Sequence, residues 1–159
     1  MGQRAEVLAA NLEQGAALLA ALATGLSETE WKSRVRDGRT IGVIVHHVAA
    51  VYPIEIDLAR SIAKGVAVEG VTWEAVAEMN AKHALDNADV DKATALEFLR
   101  KNSAEAAAAI RTFSDAELDT IAPFSLSFGA PVTAQFVLED HAVRHSWHHL
   151  ARIKSALGR

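Results

Sequence analysis

The chain of 159 residues is half apolar, under a quarter charged and carries a net charge of −4. That balance builds a packed core and argues against nucleic acid or an anionic membrane surface as the main partner. It has no cysteine, so it needs no oxidising compartment and brings no thiolate of its own to catalysis or metal binding.

Aromatic residues are few and alanine is frequent, which favours helices over strands. From about residue 4 to 25, apolar side chains recur at helical spacing, with Gly15 as a weak point. Ser27 to Glu30 forms a capping box that opens a short turn around Trp31. Asp37-Gly38 marks a loop, and Thr40 can cap a second long helix running to about Lys64. Pro53 lies inside that helix and cannot donate its backbone hydrogen bond, so a bend soon after His47 is expected. Gly65 and Gly70 punctuate a long crossover whose own short helix, capped by Thr72, spans Trp73 to about Leu85. A third long helix covers about Asp91 to Thr112, and a second capping box follows at Ser114 to Glu117. Thr120 to Val132 has two prolines and a glycine with no clear period, and reads as a long loop. Thr133 can cap the last helix, which runs to about Leu157 before Gly158.

Four long helices without a strand pattern or a repeat predict an all-α four-helix bundle, with a long crossover containing a short helix between the second and third. The length suits one domain, residues 1–159, around a single core. The longest apolar stretch, Gly15 to Leu26, is too short to span a bilayer, and Glu6 and Glu13 break any signal-peptide pattern. The start M-G-Q-R-A-E lacks the Ser or Thr that myristoylation prefers. A soluble, cytoplasmic protein with no membrane partner is expected.

Four of the seven histidines fall in D-H-A-V-R-H-S-W-H-H-L, Asp140 to Leu150. At roughly 100° per residue, Leu138, Ala142, His145, His149 and Ile153 form one row bordering the apolar face. His141 and His148 lie further round, beside Arg144 and Arg152, at the solvent edge. On the second long helix, His47 shares the core stripe with Ile44, Val51, Ile54 and Leu58, whereas His46 falls with Arg39, Asp57 and Lys64 on the polar side. One inward histidine and an inward i, i+4 pair can converge between facing helices and hold one ion with a fourth position open. A hydrogen-bonded core histidine at His47, and a His145/His149 pair that only favours the helix C-terminus, are the simpler alternatives. His83 sits on the crossover helix near the mouth without a metal role. Glu55 and Glu139 fall on the inward sides of their helices, where each either orients a ligand or serves as a base, unless it reaches solvent. Tyr52 is placed at the edge of the core, and Trp73 and Asn80 on a candidate lid.

The stretches V-I-V-H-H-V-A, Val43 to Ala49, and H-S-W-H-H-L-A-R-I, His145 to Ile153, resemble the DinB/YfiT-like superfamily of metal-binding four-helix bundles, which includes bacillithiol- and mycothiol-dependent transferases and isomerases. The order of helices, long crossover included, fits as well. The resemblance implies a single divalent ion on His47, His145 and His149, the three residues that the helical wheel selects. Members often enter the second helix with Trp-Ser where this chain has Arg39-Thr40; Thr40 still caps, so the departure falls on the mouth of the site. Three imidazoles suit zinc, nickel or iron (Zn2+, Ni2+ or Fe2+). With no cysteine in the chain, the sulfur implied by the resemblance comes from a low-molecular-weight thiol, whose addition to a small-molecule substrate would be an S-transferase or isomerase reaction. A hydrolase in which the ion activates water, and a non-catalytic helical binding or dimerisation module, are the alternatives. A homodimer is open to any of these, and nucleic acid is not expected as a partner.

Overall fold

Every long helix but the first begins where a side chain can accept a free amide hydrogen. In this computed structural model, which describes residues 2–159, Thr40, Asp91 and Thr133 accept from the amides of Val43, Thr94 and Phe136. They open α3 (Ile41–Ala63), α5 (Lys92–Ile110) and α7 (Ala134–Val137). With α1 (Gln3–Thr24), these build a four-helix bundle whose fourth member is composite: α7, a π-helical segment at Leu138–Val143, and α8 (Arg144–Ala156). Both capping boxes close as their sequences require, Ser27 with Glu30 on α2 (Glu28–Trp31) and Ser114 with Glu117 on α6 (Asp115–Asp119). The core runs the length of the bundle, through Leu12 and Leu19, Ile44 and Tyr52, Leu99 and Ile110, and Leu138 and Ile153.

Proline 53 removes one hydrogen bond from α3, and the bundle replaces it from outside. The carbonyl four residues upstream belongs to Ala49, and Asn102 of α5 donates its side-chain amide to it at 2.8 Å. Asn102 is buried, so this is an interior polar group with a defined partner. Helix α3 stays continuous across the proline.

Close packing explains two glycines. A Cβ at Gly42 would stand 2.6 Å from the Trp31 indole, and one at Gly15 would stand 2.6 Å from Nε1 of Trp147. Gly15 is thus the contact at which α1 approaches α8 rather than a flaw in α1. At the surface, Arg111 of α5 holds both Glu6 and Glu13 of α1 at 2.8 Å.

Three expectations about the fold need correction. By length and composition, α1 and α3 are each apolar enough to cross a membrane. In α3, 67% of the apolar window is buried in the bundle, with 39% in α1, so both act here as core helices. The Thr120–Val132 stretch is also not all loop: β1 (Ile121–Pro123) and β2 (Pro131–Thr133) pair antiparallel, with Pro123 opposite Pro131. Strands of three residues containing prolines leave no readable alternation. Their connection turns through Phe128 and Gly129, both at positive φ. The third concerns the π segment and is taken up with the site.

The crossover helix α4 (Trp73–Asp86) begins at its Thr72 cap and has no fully buried residue. It is tied down by polar contacts: Trp73 Nε1 donates to the Leu126 carbonyl at 3.1 Å, and His83 Nε2 lies 2.8 Å from His46 Nδ1. Upstream of it, Val68 bridges to Phe124, fastening the crossover to the hairpin.

Candidate metal centre

Helices α3 and α8 face each other across a cavity of about 440 Å³, and three histidines line it. Nε2 of His47 lies 3.1 Å from Nε2 of His145. Ring centroids are 5.0 Å apart for His47 and His145, 5.3 Å for His47 and His149, and 4.9 Å for His145 and His149. One nitrogen from each of the three falls within 4.8 Å of the others. The single turn between His145 and His149 sets their spacing, and the core stripe of α3 brings His47 to meet them.

Burial, followed by the charges of His145 and Arg39, pushes His47 down to about 2. Burial and the charges of His145, His47 and Arg39 lower His149 in the same way. Both rings are therefore neutral at physiological pH, with a lone pair to offer. Glu55, one of the few buried charged residues, places Oε1 2.7 Å from Nδ1 of His145. That contact orients the ring: Nδ1–H donates to the carboxylate and Nε2 faces His47 and the cluster. Converging imidazoles, one of them oriented by a carboxylate, fit a divalent ion of borderline softness.

The other candidates divide. Glu55 is inward, as its wheel position predicts, but Glu139 is exposed and accepts from Gln135 Nε2 at 2.8 Å. His141 departs the opposite way: it lines the cavity, its side chain is only 15% exposed, and its ring meets Phe124 edge-on. Both residues lie in the π segment, where hydrogen bonds span i to i+5 and each residue turns by less than the α-helical angle. A wheel at a constant α-helical angle misplaces them for that reason. His148 lies at the exposed rim of the cavity, as expected.

His46 is only partly exposed. It bonds to His83, stacks on that ring at 5.0 Å and packs on Phe98 at 4.7 Å. His83 in turn meets His47 edge-on at 5.6 Å. Tyr52 is fully buried and does not line the cavity. Trp73 and Asn80 do line it, along with apolar residues of α3 and α4. Arg39, which sequence reasoning set aside as a polar-face residue, lines it as well; its position directly before the Thr40 cap was the available signal.

Solved structures share this architecture. YfiT from Bacillus subtilis, a probable metal-dependent hydrolase with an unusual four-helix bundle topology, superposes with a TM-score of 0.75 at 20% identity, covering 100% of this chain and 89% of YfiT. The colibactin self-resistance protein ClbS, solved in complex with a dsDNA, gives 0.73 at 16% identity over 96% of this chain and 94% of its own. A mycothiol-dependent maleylpyruvate isomerase gives 0.71 at 17% identity over 96% of this chain, which spans 63% of the isomerase. At these identities the likeness carries the fold alone. Among curated proteins, none matches by sequence. The profile of the DinB superfamily matches residues 11–153, nearly the whole chain, and the protein belongs to that superfamily.

Proposed function

We propose that the protein is a divalent-metal-dependent enzyme acting on a small molecule together with a low-molecular-weight thiol, as an S-transferase or isomerase. The observation that carries this reading is the meeting of His47, His145 and His149 in the wall of a cavity large enough for a substrate. His47, His145 and His149 would hold the ion, with Glu55 fixing the ring of His145. An ion bound there supplies a Lewis acid that favours a thiolate, or a hydroxide, at neutral pH. The chain has no thiol of its own, and the maleylpyruvate isomerase with the same fold is mycothiol-dependent.

His141 would take up the released proton. Burial lowers its pKa, against the opposing pull of Glu55 and Asp140, so it stands neutral beside the reaction space as a base. The apolar residues of α3 and α4 give the substrate's body a surface to lie on. Metal-dependent hydrolysis is the second reading, favoured by the likeness to YfiT over 89% of that chain. Nucleic acid is not part of the proposal: ClbS is a distant relation, and this chain has a net charge of −4. The working protein is proposed to be one soluble, cytoplasmic domain.

Metal content of untagged protein, measured beside a His145→Ala/His149→Ala variant of verified helicity, is the decisive experiment. One ion per chain, absent from the folded variant, is the expected result, and turnover of electrophiles should then require added thiol. Turnover without thiol would move the assignment to hydrolysis. A wild type that stays empty when offered zinc, nickel or iron would end the metal reading.

A further inference from the structure

Beside the histidine cluster the cavity holds a buried cation with an unused donor. The side chain of Arg39 is 16% exposed. Asp37 accepts from its Nε at 3.2 Å and its Nη2 at 2.8 Å, which fixes the plane of the guanidinium. Nη1 is buried and has no hydrogen-bond partner among the described residues. A charged donor removed from water and left unmatched is costly, and a guanidinium with one edge clamped and another free is preorganised to receive a carboxylate oxygen.

Its surroundings say where that oxygen would lie. Arg39 lines the same cavity as His47, His145 and His149, so the guanidinium shares one ligand space with the cluster. Arg39 and Asn80 both line the cavity where it meets a shallower cleft between residues 34–40 and α4. Much of the remaining wall is apolar, with Val51, Ile54, Val76 and Met79 among its residues. The other two arginines are poorer candidates. Arg144 is paired with Asp140 at 2.9 Å and is 60% exposed, and Arg152 is 29% exposed; among the described residues neither leaves a buried nitrogen without a partner.

We infer that Arg39 determines specificity by binding a carboxylate on an otherwise apolar small-molecule substrate, whose body lies on the apolar walls of α3 and α4 while its reactive end reaches the three histidines. The inference rests on the proposed role of that cluster for the reactive end alone. Arg39 binds whether or not an ion is present.

The test uses a matched pair of probes, hydrocinnamate and its neutral counterpart hydrocinnamyl alcohol, titrated calorimetrically into wild type, Arg39→Gln and Arg144→Gln. Each protein is measured free of metal and again after zinc loading, with metal content determined in the same samples and helicity checked. Wild type is expected to prefer the carboxylate by about tenfold or more in both states, the scale of one charge-assisted hydrogen bond. Arg39→Gln should lose that preference, Arg144→Gln should keep it, and Arg39→Lys, which retains charge without the fork, should fall between them. A preference that survives Arg39→Gln overturns the inference. So does one that appears only with zinc, because the ion would then be reading the carboxylate. An Arg39-dependent preference in a protein that never takes up zinc supports the role of Arg39 and refutes the metal reading alone.

Discussion

Glu55 acts on the cluster through one ring. Its Oε1 accepts from His145 Nδ1 at 2.7 Å, and its side chain is 8% exposed, so little solvent competes for that bond. Carboxylates in this position hold the ligand's tautomer and raise its basicity. Glu55→Gln keeps the size and an acceptor oxygen but removes the charge, and it leaves His145 freer to turn. Metal affinity should fall roughly 10- to 100-fold with helicity unchanged, read by competition with a chromophoric chelator. Wild-type affinity in Glu55→Gln would reduce the contact to packing. The same scale shows what a sequence reader could reach. His47, His145 and His149 lie on uninterrupted α-helical turns, so a wheel sorts them from their neighbours. Arg39 sits before a helix, and its burial depends on α4 and α8 arriving from far along the chain.

Among the elements, α3 shows how one helix is completed by another. Pro53 withdraws the amide that would have met the Ala49 carbonyl, and Asn102 of α5 supplies a replacement at 2.8 Å. Removing that donor leaves a buried carbonyl unmatched, so Asn102→Ala should destabilise the protein by about 1–3 kcal/mol. In a Pro53→Ala background α3 can satisfy its own carbonyl, and the same Asn102→Ala change should cost clearly less. Chemical denaturation of the four proteins in this cycle measures the coupling. Equal costs in both backgrounds would show that Asn102 serves some other contact. Caps and capping boxes were legible in the sequence because their chemistry spans four residues. The π segment was not, since nothing in Leu138–Val143 announces an i to i+5 ladder, and Glu139 and His141 turned away from their expected faces with it. The β1–β2 hairpin escaped notice for a different reason: its pairing is made between segments too short to carry a period.

Across the whole molecule, the site depends on how closely α8 is allowed to approach α1. Gly15 marks the contact: an added Cβ would meet Ser146 Oγ and lie 2.6 Å from Trp147 Nε1 and 2.8 Å from its Cδ1. Neither neighbour can move aside cheaply. Ser146 is fully buried, and the Trp147 indole is held by its bond to the Asn11 carbonyl at 3.1 Å. Gly15→Ala therefore sets two effects against each other. Alanine favours the helix by about 0.5–1 kcal/mol, whereas overpacking a filled contact costs about 1–3 kcal/mol. The steric effect should win, giving a net loss of roughly 1–2 kcal/mol in urea unfolding. The strain has a direction as well. Ser146 and Trp147 lie between His145 and His149, so pushing them away from α1 shifts both histidines relative to His47 on α3. Metal affinity should accordingly fall in Gly15→Ala even though Gly15 is not one of the cavity's lining residues. A variant as stable as wild type with unchanged metal affinity would mean that the two helices can separate at no cost, and that the geometry of the cluster is not set by this contact.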